Sequence, residues 1–227
     1  MGEKIELKNV MGITSGEAEF LVADANASLD EIEQHPLVPV LVKSGLKNGI
    51  NWHQRNEYTV EKSLLSPSLA QQWVAALLVC GATLEFEDGA SANVADLLAR
   101  RGTRGKIKSL FIPLEKHMVS AESHVSMTPT DVPIVSSTVG VTFKDDAISG
   151  LRIALTGAYK ESVRLSAAAE SFIGKKFTAE LVGEIATAVE QESTPKADYR
   201  GSIEYRQKMA GVLTRRALET CLKGAIK

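Results

Sequence analysis

The chain has 227 residues, of which 44% are hydrophobic, and its 26 basic and 28 acidic side chains leave a net charge of −2. This length allows one large or two small domains with a core, and the balanced charge gives no electrostatic case for binding nucleic acid or an anionic membrane. No apolar run approaches the length of a bilayer span and the N-terminus MGEKIELKNV has no signal-peptide core, so we expect a cytoplasmic location.

The first half of the sequence alternates short strand and helix patterns. Strands are predicted at residues 18–24, 82–86 and 107–112. Helices are predicted from the Ser28–Glu31 capping box, from Pro36, from Ser66-Pro67 to a stop at Gly81, and from Ser91. Residues 49–65 are predicted to be a loop. Two cysteines, Cys80 and Cys221, lie in apolar helical patterns and are predicted to be buried free thiols, with a disulfide as the alternative.

The pattern changes at Pro113. Three longer strands are predicted after it, at residues 120–126, 132–143 and 147–155, the last two joined by a turn at 144–146. Helices are then predicted at residues 162–173, 178–190 and 202–223. The predicted fold is therefore α+β. Residues 1–112 would form an α/β piece, and residues 113–227 a three-stranded antiparallel sheet with flanking helices.

Three ordered blocks of the second half resemble one protein family. They are VPIVSSTVGVTF, then ISGLRIALTGAYKESVRLSAAAESFIGKKF, then ADYRGSIEYRQKMAGVLTRRAL. The last fits the pattern D-x-R-G-S-x-x-Y-R, with Asp198, Arg200, Gly201, Ser202, Tyr205 and Arg206 at its fixed positions. Together they resemble the C-terminal domain of the FAD-binding, or medium, subunit of molybdenum hydroxylases, the group of carbon monoxide dehydrogenase and xanthine dehydrogenase.

The first half resembles the second flavin-binding subdomain of that family, through LKNVMGITSGEAEFLVADANASLDEIEQHPLVP and AALLVCGATLEFEDG. The resemblance leaves out the family's opening subdomain, which carries the first of two glycine-rich flavin loops. It implies FAD as the cofactor and a role in passing electrons from iron–sulfur clusters to an acceptor.

The second flavin loop of the family has the type T-x-G-G-x-L, and it falls here on residues 59–64. Thr59, Ser63 and Leu64 occupy the positions implied to bind the cofactor, but Glu61 and Lys62 replace both glycines. A carboxylate repels a diphosphate and a Cβ blocks close backbone approach, although Lys62 would supply a cation. The downstream acidic positions of the family fall on Ser68 and Gln72. We therefore expect that this chain does not bind FAD by itself in the family's manner.

Other candidate sites are less specific. The histidines, at positions 35, 53, 117 and 124, have no metal-ligand spacing, and no metal site is predicted. The serines at 162, 166 and 171 have no partnered base, and the basic run at 99–108 is predicted to be a solvated turn. The D-x-R-G-S-x-x-Y-R residues are predicted to fasten the entrance of the last helix: Asp198 bonds Arg200 across a turn, Gly201 takes a backbone shape closed to other residues, Ser202 caps the helix and Tyr205 anchors it against the sheet.

Three functional hypotheses follow. In the first, the chain takes the place of the flavin subunit in a molybdenum-hydroxylase-type oxidoreductase, with its FAD site lost or completed in trans. In the second, it is a non-redox scaffold or partner-binding protein derived from such a subunit. In the third, the vacated flavin cleft holds a new small ligand. Iron–sulfur and molybdenum-cofactor subunits, or a second copy of the chain, are the expected partners, and the substrate and acceptor are left open.

Overall fold

A computed structural model describes residues 5–10, 18–99, 105–114, 117–128 and 131–225. The chain divides into two compact units, residues 1–116 and 117–227. The predicted boundary, between residues 112 and 113, lies four residues before this division. Each unit has its own antiparallel sheet, of five strands in the first and four in the second.

The first unit is a sheet with helices between its strands. Its strands are β1 (Ile5–Val10), β2 (Ala18–Asp24), β3 (Thr83–Phe86), β4 (Ser91–Asn93) and β5 (Ile107–Pro113), in the spatial order β1-β2-β5-β3-β4. Its helices are α1 (Leu29–Gln34), α2 (Val40–Lys47), α3 (Trp52–Glu57), α4 (Val60–Leu65), α5 (Gln71–Cys80) and α6 (Val94–Leu98). The chain thus returns to β5 at the centre of the sheet, between β2 and β3.

Helix α5 forms the core of the first unit, because every residue from Gln72 to Cys80 is buried. It ends where the sequence indicates, at Gly81, whose φ of 71° is favourable for glycine. Helix α2 packs closely against it: a Cβ on Gly45 would stand 2.6 Å from the carbonyl oxygen of Gln72. Cys80 is buried and forms no disulfide, as predicted, and the same holds for Cys221 in the second unit.

Several predicted elements of the first unit are wrong. Residues 49–65 are not a loop but contain α3 and α4, each with a side-chain cap, Asn51 for α3 and Thr59 for α4. Helix α2 begins after Pro39, not at Pro36. Ser91 does not cap a helix, since it opens the short strand β4 and α6 begins only after Asn93. The basic run predicted at 99–108 lies largely outside the described residues.

The second unit is a sheet with two helices. Its strands are β6 (Val119–Val125), β7 (Val135–Lys144), β8 (Ala147–Thr156) and β9 (Val163–Leu165), in the order β6-β7-β8-β9. Its helices are α7 (Ala179–Glu192) and α8 (Ile203–Ala225), and a 3₁₀ turn covers Ala167–Phe172. The α+β fold is confirmed, and the predicted three-stranded sheet gains a fourth strand. The helix predicted at 162–173 is wrong, because Val163–Leu165 pairs with β8 instead.

The core of the second unit lies between one face of this sheet and the helices. Alternate β7 residues, Val135, Val139 and Val141, are fully buried and pack with Leu213 and Leu218 of α8. The period of two in a strand directs these valines to one face, and Ser136 and Thr138 between them are buried as well. This cluster is made entirely of residues between 119 and 222.

Candidate functional site

Residues 59–64, on which the second flavin loop of the family is predicted to fall, form the cap and body of α4. Thr59 has extended backbone angles and its Oγ1 accepts a hydrogen bond from the amide of Lys62 at 3.2 Å. Without the two glycines, the segment has no residue that requires a non-helical backbone, and Thr59 is a favourable N-cap. The glycine-rich loop geometry is therefore replaced by an ordinary short helix.

The first amides of α4 are bonded within the chain. The N–H groups of Val60 and Glu61 donate to the carbonyl oxygens of Ala27 and Ala25, both at 3.0 Å. The amide of Ser63 donates to the carbonyl oxygen of Thr59 at 3.0 Å, as the normal helical bond. These amides are the donors that a diphosphate at a helix start would need.

Two of the three predicted cofactor-binding side chains point into the core. Ser63 is fully buried, where its hydroxyl donates to the carbonyl oxygen of Val60 at 2.8 Å and accepts from the indole Nε1 of Trp73 at 3.0 Å. Leu64 is 1% exposed. Thr59 uses its hydroxyl as the helix cap. Their roles in the structure are thus packing and capping.

The two residues that replace the glycines are also engaged. Glu61 Oε1 accepts a hydrogen bond from the amide of Ile107, at the start of β5, at 3.2 Å. The ammonium of Lys62 lies 3.0 Å from a carboxylate oxygen of Glu57 and 4.8 Å from the ring centroid of Tyr58. The hydrogen bond and charge of Lys62 lower the pKa of Glu57. Lys62 is therefore neutralised locally, and the residues present do not fit a glycine-rich diphosphate loop. Downstream, Gln72 is buried in α5 and Ser68 is exposed in a 3₁₀ turn.

The second candidate site is the turn that leads into α8. Asp198 and Gly201 form an antiparallel bridge, and Asp198 accepts hydrogen bonds from the amide of Arg200 at 2.8 Å and from its guanidinium at 3.2 Å. Partial burial acts to raise the pKa of Asp198, but hydrogen bonds from Arg206 and Arg200 outweigh it and hold the pKa at about 2. The carboxylate is therefore charged throughout the neutral range.

Arg206, near the start of α8, is 3% exposed and is the residue with most hydrogen bonds to the segments around this turn. Its Nη1 donates to the carbonyl oxygens of Ile134 at 2.7 Å and Gly157 at 3.2 Å, and its Nη2 donates to Asp198 at 2.6 Å. Gly157 has a φ of 68°, and a Cβ there would stand 2.0 Å from the Ile134 carbonyl oxygen. A guanidinium with all these bonds joins α8 to the entrance of β7 and the end of β8, and is not free to act on a substrate.

The remaining signature residues shape the same entrance. Ser202 accepts a hydrogen bond from the amide of Tyr205 at 3.2 Å, as expected for a cap. Gly201 does not have a positive φ, so the predicted special backbone shape is wrong. A side chain is instead excluded by space, because a Cβ would stand 2.9 Å from the ring of Tyr205. Tyr205 keeps 39% of its surface exposed and lies over Gly201.

One polar cluster of the second unit was missed by the sequence analysis. The Glu192 carboxylate, at the end of α7, accepts hydrogen bonds from the Ser166 hydroxyl at 2.5 Å and from the amides of Ala167 and Ala168 at 3.0 Å. Burial acts to raise the pKa of Glu192, but these bonds lower it overall. The cluster caps the 3₁₀ turn. Ser166 and Glu192 are 26 residues apart, so no local spacing could have revealed it, and the lowered pKa makes Glu192 a weak base towards the Ser166 hydroxyl.

The part of the chain that the structure describes contains neither a cluster of metal-ligand side chains nor a helix that could span a membrane. No group of three or more His, Cys, Asp or Glu side chains there is arranged to hold a metal ion. None of its helices is long and apolar enough to cross a membrane.

Comparison with known families identifies the second unit. The model of the family described as "CO dehydrogenase flavoprotein C-terminal domain" matches residues 125–221. These residues belong to that family. The flavoprotein C-terminal domain thus contains β7–β9, α7, most of α8 and the whole Asp198–Arg206 entrance.

Two relatives of this chain are medium chains of dehydrogenases. The glyceraldehyde dehydrogenase medium chain of Sulfolobus acidocaldarius is 30% identical over 89 residues, which are 39% of this chain and 32% of the relative. The carbon monoxide dehydrogenase medium chain of Hydrogenophaga pseudoflava is 36% identical over 73 residues, 32% of this chain and 25% of the relative. Each match thus spans a third or less of the medium chain concerned.

Solved structures match a larger part of the chain. Quinoline 2-oxidoreductase from Pseudomonas putida 86 superposes with a TM-score of 0.78 at 19% identity, covering 98% of this chain and 79% of that one. Carbon monoxide dehydrogenase from Hydrogenophaga pseudoflava superposes with a TM-score of 0.77 at 22% identity, covering 93% and 78%. At such identities the likeness shows that this chain shares its fold with chains of these two enzymes.

Proposed function

We propose that this chain is a component of a molybdenum-hydroxylase-type oxidoreductase complex, in the place of the flavin subunit, with an FAD site that is lost or completed by another chain. The observation that carries the proposal is the C-terminal domain, which belongs to the CO dehydrogenase flavoprotein family and whose relatives are medium chains. A chain called a medium chain belongs to an enzyme of several subunits. Iron–sulfur and molybdenum-cofactor subunits are the proposed partners.

The surface of the first unit supports an assembled state. Among its described residues, large apolar side chains are well exposed at several positions: Leu37 at 48%, Val40 at 85%, Trp52 at 65% and Leu65 at 61%. Such side chains are typical of contact surfaces where they lie together in one patch. A cytoplasmic location of the complex is part of this proposal.

The second candidate is a non-redox scaffold derived from the same subunit. It is favoured by α4, whose residues do not fit the flavin diphosphate. In this case the C-terminal domain would keep its fold because Arg206 and its partners hold it together, without any cofactor.

Affinity purification of the tagged full-length chain from its native host tests both candidates. The first predicts co-purification with subunits that contain iron–sulfur clusters and a molybdenum cofactor, identified by mass spectrometry and by metal analysis. Recovery of the chain alone, or only as a homo-oligomer by light scattering, would contradict the first and support the scaffold.

A further inference from the structure

We infer that contacts within this chain close the start of α4 to any diphosphate, so that this half of the family's flavin site is lost and cannot be completed by another subunit. The inference deepens the proposed function and rests on it, because that function is what makes a flavin relevant here. It concerns residues 59–64 and the segments bonded to them, all within the first unit.

A helix start binds a diphosphate through backbone amides that point out of the first turn without a partner. In α4 the amides of the first turn are already satisfied. Val60 and Glu61 donate to carbonyl oxygens of Ala27 and Ala25, and Lys62 donates to the hydroxyl of Thr59. An incoming diphosphate would have to break these bonds. Every amide that then bonded the diphosphate would leave an acceptor of the chain without its donor.

The acceptors of these bonds are themselves held in place. Ala25 and Ala27 are buried, and the amide of Ala25 donates to the carbonyl oxygen of Lys108 at 3.0 Å. On the other side of the same segment, the amide of Leu29 donates to the carbonyl oxygen of Tyr58 at 2.9 Å. Opening the start of α4 would therefore break a continuous set of backbone bonds that links β2, α4 and β5.

Glu61 adds a charge to this closure. Its carboxylate accepts the amide of Ile107 at 3.2 Å, so the side chain connects the first turn of α4 to the start of β5. A second anion at the start of α4 would be repelled by this carboxylate, whichever chain delivered it. The residue that stands in place of a family glycine thus acts as an internal anion with a structural role.

The closure can be measured on the ¹⁵N-labelled full-length chain by NMR. The amides of Val60, Glu61 and Lys62 should exchange slowly with solvent, and titration with FAD or with ADP should not shift them. Saturable shifts at these amides with either ligand would overturn the inference. Purified chain with a flavin absorbance spectrum and FAD-dependent protection of residues 59–64 would also overturn it.

Two variants separate the charge of Glu61 from its hydrogen bond. Glu61→Gln keeps an acceptor for the amide of Ile107, so this amide should stay protected from exchange. Glu61→Gly removes the acceptor, and exchange at Ile107 should become faster. Neither variant should bind FAD, because the bonds to Ala25 and Ala27 are unchanged. Should either variant gain saturable FAD binding at the amides of Val60 and Glu61, the backbone closure would be refuted.

The result of these exchange and titration measurements does not depend on the result of the co-purification experiment. If partner subunits are absent, the proposed function fails while slow exchange at Val60 and Glu61 still supports the closure. If they are present, hydrogen exchange of the purified complex, followed by mass spectrometry, should show residues 59–65 equally protected with and without added FAD. Added protection by FAD in the complex would show completion in trans and refute the inference.

Discussion

Arg206 belongs to the sequence pattern that resembles the family, and its bonds in the structure are those of a residue that holds segments together. Its guanidinium is 3% exposed and bonds two carbonyl oxygens and one carboxylate, from three separate parts of the second unit. A planar fork with several donors is needed for this geometry, and a lysine cannot reproduce it. The pattern that marks the family in the sequence is therefore a pattern of structural bonds.

We expect Arg206→Lys to lower the free energy of unfolding by about 2–4 kcal/mol, because it removes the bonds of the guanidinium to two carbonyl oxygens and one of the bonds that hold Asp198. Chemical denaturation of the purified chain measures this loss. Arg216→Lys is the matched control on the exposed side of α8 and should change stability by less than about 0.5 kcal/mol. Equal effects of the two variants would contradict the assignment.

His124 gives a prediction with pH. It lies on β6 with its Nδ1 3.6 Å from a carboxylate oxygen of Glu122, and the interaction with this carboxylate raises the pKa of His124 above the ordinary value of 6.5. Because the pKa of His124 is raised in the folded state, the pair contributes its full stabilisation of the fold below pH 6.5. This contribution is lost as the pH rises through the raised pKa and the imidazole loses its proton.

His124→Gln should therefore lower the melting temperature at about pH 5.5 and leave it unchanged at about pH 9, with a loss below about 1 kcal/mol because the pair is partly solvated. The difference between variant and wild type removes the pH effects of other groups. A constant difference across this range would contradict the ion pair.

At the scale of elements, the β7–β8 hairpin shows a turn made from unfavourable residues. Lys144 pairs with Ala147, and the two residues between them, Asp145 and Asp146, have φ values of 52° and 63°. Positive φ at both positions is the geometry of a type I′ turn, for which Asn-Gly is preferred. The turn predicted at 144–146 is thus present, and its geometry is strained for aspartate.

The double substitution Asp145→Asn with Asp146→Gly should stabilise the chain by about 0.5–1 kcal/mol, since glycine relieves the strain of positive φ. Asp88→Gly is the matched control. Asp88 does not have a positive φ and its carboxylate accepts from the amide of Ala90 at 2.9 Å, so this substitution should destabilise. Thermal unfolding of both variants gives the comparison, and stabilisation by both would argue against the turn geometry.

At the scale of the whole molecule, the two units differ in how they relate to function. The second contains the flavoprotein C-terminal domain with a complete core of its own, formed by residues between 119 and 222. The first contains the segment at which the flavin diphosphate would be expected and which does not fit it.

A fragment of residues 117–227 should fold alone, because its hydrophobic cluster needs no side chain from the rest of the chain. Dispersed NMR amide signals and a cooperative thermal transition would be the expected result. The same fragment with Arg206→Lys serves as a control and should melt at a lower temperature. A fragment with the properties of a molten globule would show that the second unit depends on the first.

The sequence by itself determined the fold class, most strands and the family of the C-terminal domain, because these depend on alternation of apolar residues and on ordered motifs that are local in the chain. It failed for α3 and α4, where short polar helices have weak periodicity and their caps, Asn51 and Thr59, looked like loop residues. It also could not show that the residue at position 201 lies against the ring of Tyr205, where a side chain would be too close.

Only the tertiary structure decided what Glu61 and Lys62 do at the positions predicted for the family's glycines. Glu61 is bonded to an amide 46 residues away, and the first amides of α4 are bonded to carbonyl oxygens of the distant segment that follows β2. The sequence shows that residues 61 and 62 are not glycines. Whether the amides at the start of α4 are free or hydrogen-bonded depends on which distant segment packs beside them. Hydrogen bonds of buried groups are fixed by the whole fold, and for this reason the closure of the site could be seen only there.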